Sequence, residues 1–348
     1  MKQLRLSYSA VQDWRQCPQL YWYRYVEKLR PKVRQAAPEL GTLIHTYFER
    51  YYGDLQREGD PRSSHNAALD FILQKSVPEI RSLASLADSL GAEEEAKKLL
   101  ALPKTARRLL NAYYRVHGRT DAQEHKILAV ERKFELPVID GIVLPGQIDL
   151  VTRNKDGVWL WEHKTTGSIP SQGRRFRDLQ TLLYKVAVEE LLLHHELTGL
   201  IWNYVHTTPP QPPKLLRNGT LSVAQHQTTT VGLYRAAIKK AGLDAYKYGP
   251  FLRRIERRER QVMFPRYTLP IVQSEEVLLR DYAASVHQIA DAHQSKSFAP
   301  VRNIAAHCDW CPMLKLCQAA IAGGDTDDLM RRHYTTEEKK ERKSRGEP

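Results

Sequence analysis

The chain has 348 residues, 42% of them apolar and 27% charged, which is the balance of an ordinary folded protein able to bury a sizeable core. Its 53 Lys and Arg against 40 Asp and Glu leave a formal charge of +13, which favours a polyanionic partner. No apolar run approaches the roughly 18 residues that cross a bilayer, and the opening MKQLRLSYSAVQDW is too polar for a secretory signal, so a cytoplasmic location without a membrane partner is expected.

Residues 1–30 contain an aromatic-rich amphipathic segment, YSAVQDWRQCPQLYWYRYV, and a proline-marked loop follows through Pro38. In ELGTLIHTYFERYY, Leu40, Leu43, Ile44, Tyr47 and Tyr51 recur at helical spacing and predict a helix with one apolar stripe, with His45 on its flank. Residues 65–117 are expected to be largely helical, with a break near Pro103, whose ring removes a backbone donor and crowds the preceding turn. The period then changes. ILAVERKFELPV (127–138), IVLPGQIDLVTR (142–153) and GVWLWEHK (157–164) have the β-branched, alternating character of strands, and NKDG between the last two is a hairpin turn. A helix over about 174–196, a strand at 199–206, the loop TTPPQPPK, a helix over 223–242, a strand at 260–268 and a helix over 273–294 complete the body. Residues 323–348 are polar and charged, and disorder is expected there.

The basic excess lies in the body, since residues 325–348 carry seven Lys/Arg and seven Asp/Glu. Its local sources are RRIERRER (253–260), RRFR (174–177) and KLRPKVR (28–34). One such run is usually a solvated face; three together point toward a nucleic-acid surface.

GQIDLVTRNKDGVWLWEHK, folded as a hairpin about Lys155 and Asp156, sets Asp149 opposite Glu162. Like charges facing each other across strands repel unless something neutralises them, and a divalent cation would. Period-two alternation puts Lys164 on the face of Glu162. Two hard oxygen donors with open positions suit Mg²⁺ or Mn²⁺ and a phosphate substrate. The plainer alternative is a solvated hairpin face, but Ile148, Leu160 and the run WLW mark buried strands, where charges need a reason.

Three of the four cysteines fall in HCDWCPMLKLC as C-x2-C-x5-C (Cys308, Cys311, Cys317), and the only other is Cys17. In a reducing compartment such a cluster suggests a metal centre more than disulfides.

The ordered set LSYSAVQDWRQCPQLYWYRYV, GTLIH, GQIDLV, WEHKTTG, DLQTLLY and CDWCPMLKLC resembles the RecB-like branch of the PD-(D/E)XK nucleases, from about residue 5 to 320. That branch includes nuclease domains of helicase-nucleases and CRISPR-associated adaptation nucleases. The resemblance implies an α/β fold: a restriction-endonuclease-like core with a central mixed β-sheet flanked by helices, forming one domain over 1–322 with a helical insertion at about 53–125. It implies metal-dependent hydrolysis of DNA in recombination, repair or processing, by an exonuclease. His45, Asp149, Glu162 and the His163 main-chain carbonyl would hold Mg²⁺ or Mn²⁺, with Lys164 assisting the attacking water. Gln180 and Tyr184, with Arg174 and Arg175 of the nearby basic run, would touch DNA. Glu131 fits the family pattern as an acidic residue on the preceding strand, although a surface role competes. Cys17, Cys308, Cys311 and Cys317 would hold a [4Fe-4S] cluster stapling the two ends of the chain, with Zn²⁺ as the alternative. There is no G-x-x-x-x-G-K-[ST] phosphate loop, so any helicase or recombination motor would be a separate partner. A DNA-binding scaffold that does not cut is the competing reading.

Overall fold

The computed structural model describes residues 4–336 apart from 140, 177, 192–196, 225–226, 271–275 and 296. The strands are β1 (Leu4–Arg5), β2 (Leu29–Pro31), β3 (Lys126–Ile139), β4 (Ile142–Asn154), β5 (Gly157–Thr166), β6 (Leu197–His206), β7 (Arg266–Pro270) and β8 (Tyr334–Thr336). The α-helices are α1 (Tyr8–Gln16), α2 (Pro18–Tyr21), α3 (Ala36–Glu58), α4 (Pro61–Ser89), α5 (Glu93–Tyr113), α6 (Arg119–Glu124), α7 (Gln172–Phe176), α8 (Leu179–Leu191), α9 (Val231–Lys240), α10 (Gly249–Arg258), α11 (Glu276–Gln294), α12 (Leu314–Ile321) and α13 (Thr326–His333).

The main sheet has the order β1-β4-β5-β6-β7, and β3 pairs with β4. β5 and β6 run parallel, whereas β3–β4, β4–β5 and β6–β7 are antiparallel. Because β3 covers one edge of β4 over nearly its full length, β1 and β5 share the other edge, β1 at Ile142–Val143 and β5 at Leu150–Asn154. Strand alternation sends neighbouring residues to opposite faces. Leu150, Trp161 and Ile201 pack under α3, α4 and α5. Val151, Leu160 and Leu200 pack under α1, α8 and α11. The result is a mixed sheet between two helical layers, the expected class of core.

The predicted stripe on α3 is the buried face, with Tyr47 and Tyr51 both 0% exposed. Pro103 does not break its helix: α5 runs through it from Glu93 to Tyr113. Leu99, Leu102, Ala106 and Leu109 around it are buried against α3 and α4, and that packing outweighs the lost backbone hydrogen bond. The single helix expected over 174–196 is two, α7 and α8; its last five residues lie outside the described set. The helix expected from 223 begins only at Val231, where Thr230 caps it by accepting from Leu233 N–H. The strand expected from 260 begins at Arg266, after a helical turn at Glu259–Met263.

The segment from 323 was expected to be disordered, yet it folds through Thr336. Asp325 caps α13, and β8 pairs antiparallel with β2. Tyr334 supplies the reason, because it enters an apolar cluster with Leu20, Tyr23, Leu29, Met313 and Leu316. Residues 337–348 lie outside the described set.

Candidate metal centre

Three neighbouring strands each bring one carboxylate to the same stretch of sheet. The β4–β5 pairing runs from Asn154–Gly157 to Leu150–Trp161, and Asp149 and Glu162 are the next residues along the two strands beyond that last pair. On the other edge of β4, Val130 faces Leu150 and Arg132 faces Ile148, which sets Glu131 across from Asp149. Glu131 has φ 47°, a left-handed conformation that costs a non-glycine residue on the order of 1 kcal/mol. α3 supplies His45, whose Nδ1 stands 3.6 Å from Asp149 Oδ1. One ligand atom from each of His45, Glu131 and Asp149 lies within 4.8 Å of the others.

Glu162 is 3% exposed, and its Oε1 accepts from Lys164 Nζ at 2.6 Å. Lys164 also donates to Gln180 Oε1 at 2.8 Å, which joins α8 to the site. Asp149 Oδ2 accepts from the His163 main-chain N–H at 2.7 Å. Glu131 Oε2 accepts from Gln147 Nε2 at 2.5 Å. Two buried oxygens, Glu131 Oε1 and Glu162 Oε2, have no hydrogen-bond partner among the described residues. A buried carboxylate oxygen left without a donor is costly, and beside a His–Asp pair such oxygens are the hard donors that a small dication takes. The residues present therefore fit Mg²⁺ or Mn²⁺.

The titration of these groups follows from crowding. Burial raises the Glu131 carboxyl to about 8, and the charge of Asp149 adds to this. Burial raises Glu162 to about 7; Lys164 opposes the rise and Asp149 reinforces it. Burial also pushes Asp149 upward, but the hydrogen bond and charge of His45 outweigh it and hold Asp149 below the usual carboxylate range. Burial would strip the Lys164 proton, yet the charges of Glu162 and Asp178 raise its pKa instead, so it is an ammonium.

The sequence-predicted residues fall as follows. His45 and Asp149 come together with Glu131, whereas Glu162, bonded to Lys164, lies outside the group whose ligand atoms are all within 4.8 Å of one another. The His163 side chain turns away into the helical layer, its ring 4.2 Å from that of Phe48, and burial lowers its pKa to about 3. Its Nδ1 contacts Asn203 Nδ2 at 2.9 Å. Gln180 touches the site through Lys164, whereas Tyr184 is buried in its wall with its ring edge-on to Phe134. Arg174 is exposed on α7. Arg175 bonds the Pro170 carbonyl and stacks 3.7 Å over the Tyr267 ring.

Glu131 was undervalued from the sequence, because VERK alternates like a surface strand. The pairing sum that placed Glu162 would have placed it too, applied to the β3–β4 hairpin. Asp178 was missed altogether; it sits just before α8 and adds negative charge beside Lys164.

All four cysteines line one small cavity at the joint of α2, α12 and the turn before it, together with Leu20, Tyr23 and Arg302. Burial raises the Cys311 thiol, and the neighbouring Cys17, Cys308 and Cys317 add to the rise. Among the described residues, no three of these sulfurs come within the 4.8 Å that the ligand atoms of His45, Glu131 and Asp149 do.

No described helix is long and apolar enough to cross a membrane. No curated protein matches the chain. Residues 5–318 match a family model, that of the PD-(D/E)XK nuclease superfamily.

Proposed function

The chain belongs to the PD-(D/E)XK nuclease superfamily, and from that premise we propose that it is a Mg²⁺- or Mn²⁺-dependent nuclease acting on DNA, of the RecB-like branch. The observation that carries the reading is the convergence of His45, Glu131 and Asp149 within 4.8 Å, next to the Glu162–Lys164 pair. A dication held there supplies Lewis acidity toward the phosphate and a more acidic water. Glu131, Asp149 and Glu162 are its carboxylate ligands, and His45 completes the set. Lys164 is a fixed ammonium, held by Glu162 and Gln180, and it stabilises charge developing on the phosphodiester. Asp149 is ionised at neutral pH and so needs no proton displaced before it binds.

We further propose that Cys17, Cys308, Cys311 and Cys317 hold an iron-sulfur cluster. A single Zn²⁺ with Zn–S near 2.3 Å would draw four sulfurs to about 3.8 Å from one another. Four thiols lining one cavity are the donor set that either centre takes, and Zn²⁺ is the alternative. Exonuclease action on DNA ends, with a separate helicase as motor, is the mode that this assignment favours.

Lys164→Met tests the enzymatic reading, because it keeps the stem and removes the charge. Incubated with end-labelled DNA and Mn²⁺, wild-type protein should degrade the label and the variant should lose at least about a hundredfold in rate. DNA bound equally by both proteins and cut by neither would favour the scaffold reading, which the basic surface supports.

A further inference from the structure

Between β6 and β7 the chain leaves the sheet from Thr207 to Pro265 and builds a lobe with an apolar cluster of its own, including Leu221, Tyr234, Phe251 and Ile255. Residues 207–260 hold eleven Lys/Arg and three Asp/Glu, so this lobe carries most of the excess positive charge of the whole chain. On α10, Phe251 and Ile255 turn inward, while Arg253, Arg254 and Arg257 are exposed and Arg258 is half-buried. Arg253 and Arg257, and likewise Arg254 and Arg258, are i,i+4 pairs of like charge that repel along the helix. Among the described residues none of Arg253, Arg257 and Arg258 has an ion-pair partner to relieve this.

Arg254 and Arg258 line a cavity of about 340 Å³ together with Gln227 and Thr229. Thr229 is 5% exposed, and its buried hydroxyl oxygen has no hydrogen-bond partner among the described residues. Two guanidinium groups and an unused hydroxyl around one hollow are the donors that bind a phosphate oxyanion. The lobe also stands at a telling end of the sheet. β5 and β6 are parallel, with Lys164 beside Tyr204 and Thr166 beside His206, so the lobe departs from the same sheet end that Lys164 approaches.

We propose that this cavity seats a backbone phosphate of DNA, and that the arginine face of α10 is a second grip on the strand whose cleavage site lies at Lys164. The proposal rests on the nuclease reading for the identity of the polyanion. A membrane fits less well, because the apolar face of α10 is buried and offers nothing to insert between lipids. Tyr246, 90% exposed beside Lys247 on the same lobe, is the kind of aromatic on which a base can stack.

The test is the binding of a short fluorescein-labelled DNA duplex, followed by anisotropy in EDTA so that no cutting is required. Arg254→Gln with Arg258→Gln should weaken binding by at least about tenfold near 50 mM salt, and make the slope of log K against log salt shallower by about 0.9, the value for one lost phosphate contact. Thr229→Val, which leaves the charges in place, should weaken binding about threefold without changing the slope. The control pair Arg62→Gln and Arg81→Gln on α4 removes equal charge elsewhere and should bind as wild type. Unchanged affinity and slope in the Arg254/Arg258 variant overturns the proposal, and so does equal loss in the control. A Thr229 variant that binds like wild type removes the phosphate from the cavity. Anionic vesicles captured through these arginines in preference to DNA would replace it with a membrane site. Should wild type bind duplex yet fail to cut it with Mn²⁺, the nuclease reading fails while the grip stands.

Discussion

Arg266→Met removes the cation at the centre of a buried network behind the metal centre. Its Nη1 and Nη2 donate to the two oxygens of Asp121 at 2.5 and 2.8 Å, and Nη2 also donates to the Tyr113 hydroxyl at 2.6 Å. Its Nε donates to Asn203 Oδ1 at 3.0 Å, and Asn203 in turn contacts His163. Asp121 is 2% exposed, so the substitution strands a buried carboxylate with Tyr52 as its one remaining donor among these contacts. Breaking a buried pair from one side costs about 3–5 kcal/mol, and methionine fills much of the space, so most of that loss is electrostatic. In the wild type, burial would raise the Asp121 carboxyl, but Arg266 holds it below its ordinary 3.8. That contribution is therefore present above pH 3.8 and lost as pH falls through the depressed folded value. In the variant the carboxyl is buried without a cation, its folded pKa rises, and the penalty is present at neutral pH and fades as acid protonates it. Urea unfolding should show the gap between wild type and variant widest near pH 7 and narrowing toward acid. Adding Asp121→Asn to Arg266→Met should recover most of the loss. A gap under about 1 kcal/mol, as for an exposed ion pair, or one that ignores pH, would refute the reasoning.

The metal centre itself predicts a pH dependence. Glu131 and Glu162 keep their protons up to about 8 and about 7, and a cation must displace them. Calorimetric Mn²⁺ affinity should accordingly rise through that range with release of protons, and a flat profile would refute protonated ligands. Glu131→Gln should weaken Mn²⁺ binding by about 10- to 100-fold, the range seen when a group that supports a metal site is lost. Its metal-free stability near pH 7 should hold or rise, because burial obliges Glu131 to take up a proton on folding and glutamine is spared that cost; an unchanged affinity would return Glu131 to a surface role. Cys17→Ser should yield protein of lower iron content and lower melting temperature than wild type after anaerobic preparation. Stoichiometric zinc in colourless wild-type protein would discard the cluster.

Much of the fold was legible because periodicity reports burial. The α3 stripe named the buried face correctly, and hairpin symmetry about Lys155–Asp156 gave the β4–β5 register from Asn154–Gly157 to Leu150–Trp161. What escaped was set by contacts distant in sequence. Pro103 reads as a breaker until α3 and α4 are seen to hold its helix, and the segment after 323 reads as solvent-loving until Tyr334 finds Leu20 and Leu29. Glu131 escaped because VERK alternates like a surface strand, and only the β3–β4 pairing brings it to Asp149.

The pairing of β2 with β8 has an outcome for how this protein is made. Lys32 Nζ donates to the Arg331 carbonyl across 299 positions of chain, beside the strand pair of Leu29–Pro31 with Tyr334–Thr336. A contact of such range forms late. While a ribosome is still translating, the first aromatic segment and Cys17 have nothing to clasp until residues 302–317, which line the thiol cavity with them, have emerged. The strand pair that fastens Leu29–Pro31 follows only once residue 336 is out.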